Sequence, residues 1–272
     1  MKRTIASVLV LLVFAVPAQA VEDPSWPDLS ASIFDERTLL DGSDIIAIDS
    51  PYRTGNDSRT LIAAQIEAPG GRMLGKVTLV LDENPMPVSA VFNFDTPLPR
   101  FYFRATMRIN GPTPLHVVAE TTDGQLFVAQ SFVKTSGQGA CAAPPGTDLK
   151  EALATLGNMN IGIDALPGGG SSLDLLGGLA LRDKQVDLDI SHPSHSGMQM
   201  DQISLLFIPM RYVENVEIDL DGAGYVDMTG SISLSENPRV SMSVPARTRT
   251  VDVTMTDTDG TISKAQKSLA GY

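Results

Sequence analysis

The chain has 272 residues, and its 20 Lys and Arg residues against 32 Asp and Glu residues give a formal net charge of −12. This charge argues against nucleic acid and anionic membrane surfaces as partners, because both repel an acidic protein. The single cysteine excludes a disulfide within the chain.

The beginning of the chain predicts export. Met1-Lys2-Arg3 supplies a positive start, residues 4–16 are almost wholly apolar, and Ala18-Gln19-Ala20 matches the small-residue pattern of a cleavage site. The apolar run is too short to span a bilayer comfortably. We therefore expect residues 1–20 to be a signal peptide, the mature protein to lie in a bacterial periplasm, and no part of it to insert into a membrane.

Residues 21–141 predict a first β-sandwich. A short helical segment is expected over residues 26–34. Runs of apolar and β-branched residues with a period of two predict strands at residues 44–49, 61–67, 76–81, 88–94, 101–109, 115–121 and 125–134. Thr122-Asp123-Gly124 predicts a hairpin turn, because glycine accepts the positive φ that tight turns need. Six or seven short strands at this spacing are typical of a β-sandwich.

Residues 142–182 differ in composition and predict a linker. Asp148 and Glu151 form a capping pair for one short helix that ends at Gly157. The segments Gly168-Gly169-Gly170-Ser171-Ser172 and Gly177-Gly178 have the composition of a flexible linker.

Residues 183–272 predict a second β-sandwich. Alternating apolar residues indicate strands at residues 185–190, 216–220, 225–234, 240–244, 250–256 and from the Asp259-Gly260 turn to about residue 267. The predicted fold is therefore all-β, with two β-sandwich domains joined by a Gly/Pro/Ser-rich linker.

The only cysteine follows the last strand of the first predicted sandwich. Cys141 lies after Gly137 and Gly139, which leave the backbone free, and before Pro144 and Pro145, which stiffen it. Its other neighbours are too small to enclose it, so we expect an exposed thiol on a flexible arm. An unpaired cysteine in an exported protein is typical of an intermolecular link or a reactive thiol. The segment predicts a covalent attachment point and not a buried, inert cysteine.

The order of short motifs in both halves resembles the two subunits of the sulfur-oxidation carrier. In the first half the motifs that resemble SoxY are Ser50-Pro51-Tyr52-Arg53, Asn84-Pro85-Met86-Pro87, Val118-Ala119-Glu120-Thr121-Thr122-Asp123-Gly124 and the Cys141 arm. In the second half those that resemble SoxZ are His192-Pro193, Gly197-Met198, Phe207-Ile208-Pro209, Val213-Glu214-Asn215-Val216, Ser235-Glu236-Asn237-Pro238 and Thr256-Asp257-Thr258-Asp259-Gly260. The whole chain is similar to the fused SoxYZ-like carrier found beside quinoprotein dehydrogenases.

This resemblance implies two immunoglobulin-like sandwiches and a role in sulfur oxidation, for example of thiosulfate. It implies that Cys141 carries a small sulfur-containing group covalently, with Gly137 and Gly139 making the arm flexible. Gly139-Ala140 and Ala142-Ala143 replace the glycine pairs of the family, and the chain continues, so the arm is held at both ends. The resemblance implies no cofactor and no catalysis by the chain itself. The expected partners are periplasmic enzymes that load and unload Cys141, with a quinoprotein dehydrogenase or cytochrome system among the candidates.

A cysteine hydrolase is one alternative function. It would need a base within hydrogen-bonding reach of Cys141, and His116, His192 and His195 are the only histidines. His116 lies within a predicted strand beside apolar residues, which is typical of a structural histidine.

A copper-handling accessory, or a non-covalent interaction module of a periplasmic quinoprotein redox system, is the other alternative. His192, His195, Met198 and Met200 fall within nine residues, and imidazole with thioether ligands suits Cu(I). The same pattern is also typical of a turn whose methionines cover apolar surface, so we assign no metal site.

Three cations could form an anion-binding patch. Arg104, Arg108 and Lys134 lie on predicted strands, where alternating charged residues usually form the solvent-exposed face. Lys134 is the only one near Cys141 in sequence, so we expect partner enzymes to activate the thiol.

Overall fold

The structure, a computed structural model, describes residues 25–137, 139–165 and 183–268. The predicted signal peptide and the linker glycines at residues 168–170 and 177–178 lie outside the described residues. The described helices are α1 (Trp26–Ile33) and α2 (Leu149–Ala154), with a 3₁₀ turn at Pro69–Gly71. The strands are β1 (Leu39–Asp41), β2 (Ile46–Asp49), β3 (Thr60–Glu67), β4 (Leu74–Leu81), β5 (Val88–Leu98), β6 (Arg100–Met107), β7 (Thr113–Thr121), β8 (Leu126–Val133), β9 (Met159–Ala165), β10 (Asp183–Ile190), β11 (Val213–Leu220), β12 (Ala223–Gly230), β13 (Arg239–Pro245), β14 (Thr250–Asp257) and β15 (Ile262–Ser268).

The predicted all-β class with immunoglobulin-like halves is confirmed. The described strands form one sheet in the order β1-β8-β7-β4-β5-β12-β11-β14-β15 and another in the order β2-β3-β6-β13-β10-β9. Alternate residues of these strands are apolar and meet in one buried cluster. That cluster includes Phe92 and Phe103 from the first half and Val186 and Val216 from the second, so both halves share a core.

Both sheets continue from the first half of the chain into the second. Strand β5 pairs with β12, where Phe92 is opposite Met228. Strand β6 pairs with β13, where Phe103 is opposite Met242. An unpaired edge strand leaves backbone donors and acceptors open to other chains, and this pairing removes such an edge from each sheet of each half. The halves are therefore joined edge to edge by strand pairing, in addition to the covalent connection that the sequence predicts.

The predicted linker at residues 142–182 contains more structure than expected. Helix α2 begins as predicted, since the Asp148 carboxylate accepts the amide N–H groups of Lys150 (2.9 Å) and Glu151 (3.3 Å). Strand β9 was missed, and it pairs antiparallel with β10 at the edge of the six-stranded sheet. Its alternation of apolar and polar residues is a strand signal, but the glycine-rich segment after it led us to assign the whole range to a linker.

The joint between the halves positions the arm, which we define as residues 136–146. Strand β8 ends at Val133, and residue Lys134 forms an isolated bridge with Arg53. The arm then crosses from the first half to the second, where α2 and β9 follow it. Its contacts therefore come from both halves of the chain.

Candidate functional site

The expectation of an exposed thiol is wrong for this structure, because Cys141 has 0% of its surface exposed. Cys141 lies in a turn in which the Ala142 amide donates to the Gly139 carbonyl at 3.0 Å. Gly137 (φ +81°) and Gly139 (φ +71°) adopt the left-handed conformation that favours glycine. Here the glycines turn the arm inward. Cys141 nevertheless belongs to neither buried apolar cluster of the described residues.

The second half of the chain holds the arm closed through three side chains. The Ser196 hydroxyl donates to the Cys141 carbonyl. Gln199 Nε2 donates to the Ala143 carbonyl at 3.0 Å, and Glu236 Oε2 accepts the Gly146 amide at 2.7 Å. These partners lie beyond position 190, so no local sequence pattern near Cys141 indicates them.

The first half holds the arm from the other side. Asn110 Oδ1 accepts the Cys141 amide at 3.2 Å, and the Asp57 carboxylate accepts the Ser136 amide at 3.0 Å and its hydroxyl. Asn110 is fixed in turn by Asn84, whose Oδ1 accepts the Asn110 amide at 2.9 Å.

Asn84 links the two halves beneath the arm. Its Nδ2 donates to the Arg108 carbonyl at 2.8 Å and to Ser233 Oγ at 2.9 Å. Asn84 is the first residue of a motif that resembles SoxY, and in the structure its side chain forms hydrogen bonds with both halves at the joint. Buried amides of this kind are fully used because an unpaired polar group is costly.

The interpretation of Arg108 as an exposed strand residue is wrong. Only 2% of its surface is exposed, and its Nη1 donates to the carbonyls of Ile232 (3.2 Å) and Leu234 (2.7 Å). Arg108 lies directly after β6, where the chain leaves the sheet and the alternation of inward and outward residues ends. Of the other two cations, Arg104 pairs with Asp187 at 3.2 Å and Lys134 is exposed.

The thiol and the guanidinium affect each other's protonation. Burial raises the pKa of the Cys141 thiol, and the charge of Arg108 lowers it in part. Burial also lowers the pKa of Arg108, while Cys141 and Glu236 raise it. The closed arm therefore holds a protonated thiol of low nucleophilicity, since the thiolate is the reactive form.

A cavity of about 400 Å³ lies beside the arm. Ala140, Ala143, Pro144 and Gly146 form its arm side. The opposite side is built by residues of both halves, and its lining there includes Asn56, Ser58, Arg59, Arg108, Gln199, Glu236 and Asn237. The cavity is thus in contact with Ala140, which precedes Cys141, and with Ala143, which follows Ala142.

His192 is a structural histidine and is not available as a copper ligand in this arrangement. Its Nδ1 accepts the Ser194 amide at 2.9 Å, so Nε2 carries the hydrogen and faces Asp257 Oδ2 at 3.3 Å. Arg211 Nε also donates to Asp257 Oδ2, at 2.8 Å. Burial lowers the pKa of His192 to about 4, so the ring is neutral at pH 7.

The other candidate copper ligands have different surroundings. Met198 is half-buried, and its amide donates to Ser196 Oγ at 3.2 Å. His195 Nδ1 is 3.1 Å from Gln199 Oε1, which makes it part of the contact that holds the arm. Met200 is exposed on a hairpin. Within the described part of the chain, no three His, Cys, Asp or Glu side chains are grouped as a metal site.

His116 has a packing role, and it does not contact Cys141 as a catalytic base would. Its ring stacks on Trp26 with centroids 3.5 Å apart, and its Nδ1 is 3.0 Å from Asp82 Oδ1. None of these contacts involves the arm.

An exposed apolar hairpin follows the residues that hold the arm. We call residues 199–208 the apolar hairpin. The Ile208 amide donates to the Gln199 carbonyl at 2.8 Å, and the Asp201 amide donates to the Leu206 carbonyl at 2.9 Å. Although its backbone is ordered in this way, its tip exposes large apolar side chains, namely Ile203 (94%), Leu205 (68%), Leu206 (68%) and Phe207 (67%). Exposed apolar clusters of this kind mark contact sites for other molecules.

Comparison with protein families assigns each half of the chain to a family. The family of the sulfur oxidation protein SoxY matches residues 30–141, and the family of the sulphur oxidation protein SoxZ matches residues 181–268. The chain belongs to these families, in a fused SoxYZ-like arrangement. The SoxY match ends at Cys141. This is a sulfur-oxidation carrier family, and it implies enzyme partners in sulfur oxidation.

Similar solved structures are distant. One is the sulfur carrier protein SoxY from Chlorobium limicola f thiosulfatophilum, with 21% identity over 42% of this chain and 99% of that chain and a TM-score of 0.34. Another is a beta-glycosidase from Bacteroides vulgatus, with 7% identity over 82% of this chain and 24% of that chain and a TM-score of 0.20. No curated protein matches. No helix within the described residues has the length and apolar character needed to cross a membrane.

The closed arm predicts slow labelling of Cys141 by a neutral thiol reagent. Replacing Gln199 by Ala removes one contact that closes the arm, and the labelling rate should rise roughly fivefold, because a hydrogen bond contributes about 1 kcal/mol. The control is Gln266→Ala, which removes an exposed contact with Asp252 on the edge strands and should leave the rate unchanged. Labelling of the unaltered protein as fast as that of the unfolded chain would contradict a closed arm.

His192 predicts a loss of stability in acid. Its pKa falls from 6.5 to about 4 on folding, so its contribution is complete above pH 6.5 and is lost as the pH falls toward 4. Between pH 7 and 5, the free energy of unfolding should decrease by about 2 kcal/mol more in the unaltered protein than in His192→Gln. Urea unfolding at both pH values measures this difference. Parallel pH dependences would show that His192 is not held neutral.

Proposed function

We propose that this chain is an exported carrier that holds a small, sulfur-containing group covalently on Cys141 and presents it to partner enzymes. The observation that carries the proposal is the position of the only cysteine, which is the last residue of the SoxY match and lies on a glycine turn outside the apolar core. A cysteine kept only for packing would be expected inside the core. Export to the periplasm through residues 1–20 is part of the proposal.

The carrier alternates between a closed and an open arm. In the closed arm Cys141 has no access to solvent, so loading and unloading require the arm to leave the joint. A few hydrogen bonds, each contributing about 1 kcal/mol, hold it there, so opening has a modest cost. Since the chain continues into α2, the open arm is a loop held at both ends, and partner enzymes must come to it.

Loading from thiosulfate is an oxidation. The Cys141 thiol loses its proton, and a bond forms between its sulfur and the terminal sulfur of thiosulfate. Two electrons leave in this step, and the redox centre of the loading enzyme, a cytochrome or quinoprotein system, accepts them. The chain contributes the thiol and its presentation, and the partner contributes the oxidation and the activation of a thiol whose pKa burial has raised.

The apolar hairpin is the docking surface for these enzymes in this proposal. It lies next to the arm in the fold, because Gln199 belongs to the hairpin and also binds the Ala143 carbonyl. An enzyme that covers the exposed side chains of Ile203 and Phe207 gains apolar burial of the kind that stabilises protein complexes. Docking there disturbs a contact that closes the arm, which couples recognition to release of Cys141.

A non-covalent interaction module is the second candidate, and the apolar hairpin is the observation that favours it. In that case the hairpin would bind a redox partner while Cys141 remains unmodified. The copper-handling version loses its support because both ring nitrogens of His192 are engaged.

Loading by the host's own enzymes tests the proposal. The reduced protein is incubated with an extract of the native host and thiosulfate, and its intact mass is followed over time. We expect a sulfur-containing adduct on the unaltered protein and none on Cys141→Ser. An unmodified mass under conditions in which the extract oxidises thiosulfate would contradict the carrier function and favour the interaction module.

The same assay tests the docking surface with matched isoleucines. Ile203→Ser should slow adduct formation about tenfold, since it removes apolar surface from the proposed contact. Ile262→Ser is the control, because Ile262 is also exposed (63%) but lies on the edge strand β15. Equal loading rates of the two variants would exclude the hairpin as the docking surface.

A further inference from the structure

We infer that Arg108 is the counterion of an anionic group attached to Cys141, and that the cavity beside the arm receives the anionic end of that group. The ligand class is a short chain on sulfur that ends in an oxyanion, such as a sulfonate. The inference rests on the proposed function, because it concerns the group that the carrier holds.

Arg108 is a buried cation that forms no salt bridge with a carboxylate among the described residues, although the charge of Glu236 acts on it from beyond salt-bridge distance. A buried charge is costly unless it is paired and hydrogen-bonded. A guanidinium has five N–H donors, and within the described residues only those on Nη1 have hydrogen-bond partners, which are the two backbone carbonyls of Ile232 and Leu234. Donors remain on Nε and Nη2, and Arg108 lines the cavity. The site thus offers a fork of donors to an anion.

The cavity has the charge and the position that such a group requires. Its lining includes two cations, Arg59 and Arg108, and one carboxylate, Glu236. Arg59 and Arg108 each donate from Nη1 to two backbone carbonyls, and Glu236 accepts the Gly146 amide. Arg59 is exposed, whereas Arg108 is buried, so water screens the charge of Arg108 less. Of the two cations, Arg108 is therefore the one whose charge acts more strongly on an anion in the cavity.

Cys141 is not among the residues that line the cavity, so a group on its sulfur must extend past Ala140 or Ala143 to enter it. Ala140 and Ala143 line the cavity and enclose Cys141 in sequence, and the charge of Arg108 acts on the thiol. A volume of about 400 Å³ is many times that of one water molecule, about 30 Å³, so the cavity has room for a sulfonate with part of its hydration. An anionic adduct should stabilise the closed arm, and a cationic adduct should open it.

Two methanethiosulfonate reagents of opposite charge test this inference. The Cys141 thiolate attacks the sulfenyl sulfur of each reagent, a disulfide forms, and methanesulfinate leaves. The 2-sulfonatoethyl reagent gives an anionic adduct, and the 2-(trimethylammonio)ethyl reagent gives a cationic one. Labelling is carried out in dilute urea, which opens the arm, and the urea is then removed.

We expect the anionic adduct to melt about 4 °C above the cationic adduct. The net charge of −12 of the whole chain favours a cationic adduct over an anionic one, so the opposite order reports a local cation. In Arg108→Met the order should be lost, whereas Arg59→Met should retain it. If Arg108→Met does not fold, Arg108→Lys serves instead, and it should preserve the order with a smaller difference, because lysine keeps the charge and loses the fork.

Equal melting temperatures of the two adducts, or a higher one for the cationic adduct, would overturn the inference. The same holds if the difference is unchanged in Arg108→Met. These results are independent of the loading assay with host extract, so failure of this inference leaves the carrier function standing. Failure of the carrier function alone would leave the charge preference of the cavity intact.

Discussion

The closed position of the arm depends on the pairing of the two halves across both sheets. Strands β5 and β12 in one sheet, and β6 and β13 in the other, fix the second half against the first. Only with this joint in place do Asn110 from one half and Ser196 from the other meet on opposite sides of Cys141. Both halves of the chain therefore contribute to the closed position of the arm around the thiol.

Buried polar side chains surround Cys141 at the joint between the halves and determine how the arm is held. Polar side chains of both halves hold the arm through hydrogen bonds, and Cys141 belongs to neither buried apolar cluster of the described residues. Hydrogen bonds of this kind can break one at a time as the arm opens. Tight apolar packing would instead have to be disrupted as a unit. The thiol there is buried and protonated, and the contacts that hold the arm over it are individual hydrogen bonds.

Most strands could be predicted from the alternation of apolar and polar residues, because a strand with one buried face has an apolar residue at every second position. Helix α2 followed from its capping pair in the same way. Strand β9 has a clear alternation as well, yet its glycine-rich surroundings outweighed it. The continuity of the sheets had no local signal, since a strand edge in one half does not specify its partner in the other.

The site was less predictable than the fold for the same reason. Cys141 and the turn glycines were identified from composition and from the resemblance, but their burial depends on Ser196 and Gln199, which are more than 50 residues away. Arg108 was assigned to the exposed face because alternation was extended past the end of β6. The apolar hairpin was noticed only as a motif, because an apolar run in sequence does not reveal whether it faces the core or solvent.

The titration of Cys141 tests the buried thiol most directly. Since the chain has one cysteine, protein labelled with ¹³C at cysteine Cβ gives a single resonance whose shift reports the protonation of the thiol. The account predicts a titration midpoint above about 8.5, the ordinary value of a free cysteine. A midpoint at or below that value in the folded protein would contradict burial of the thiol at the joint.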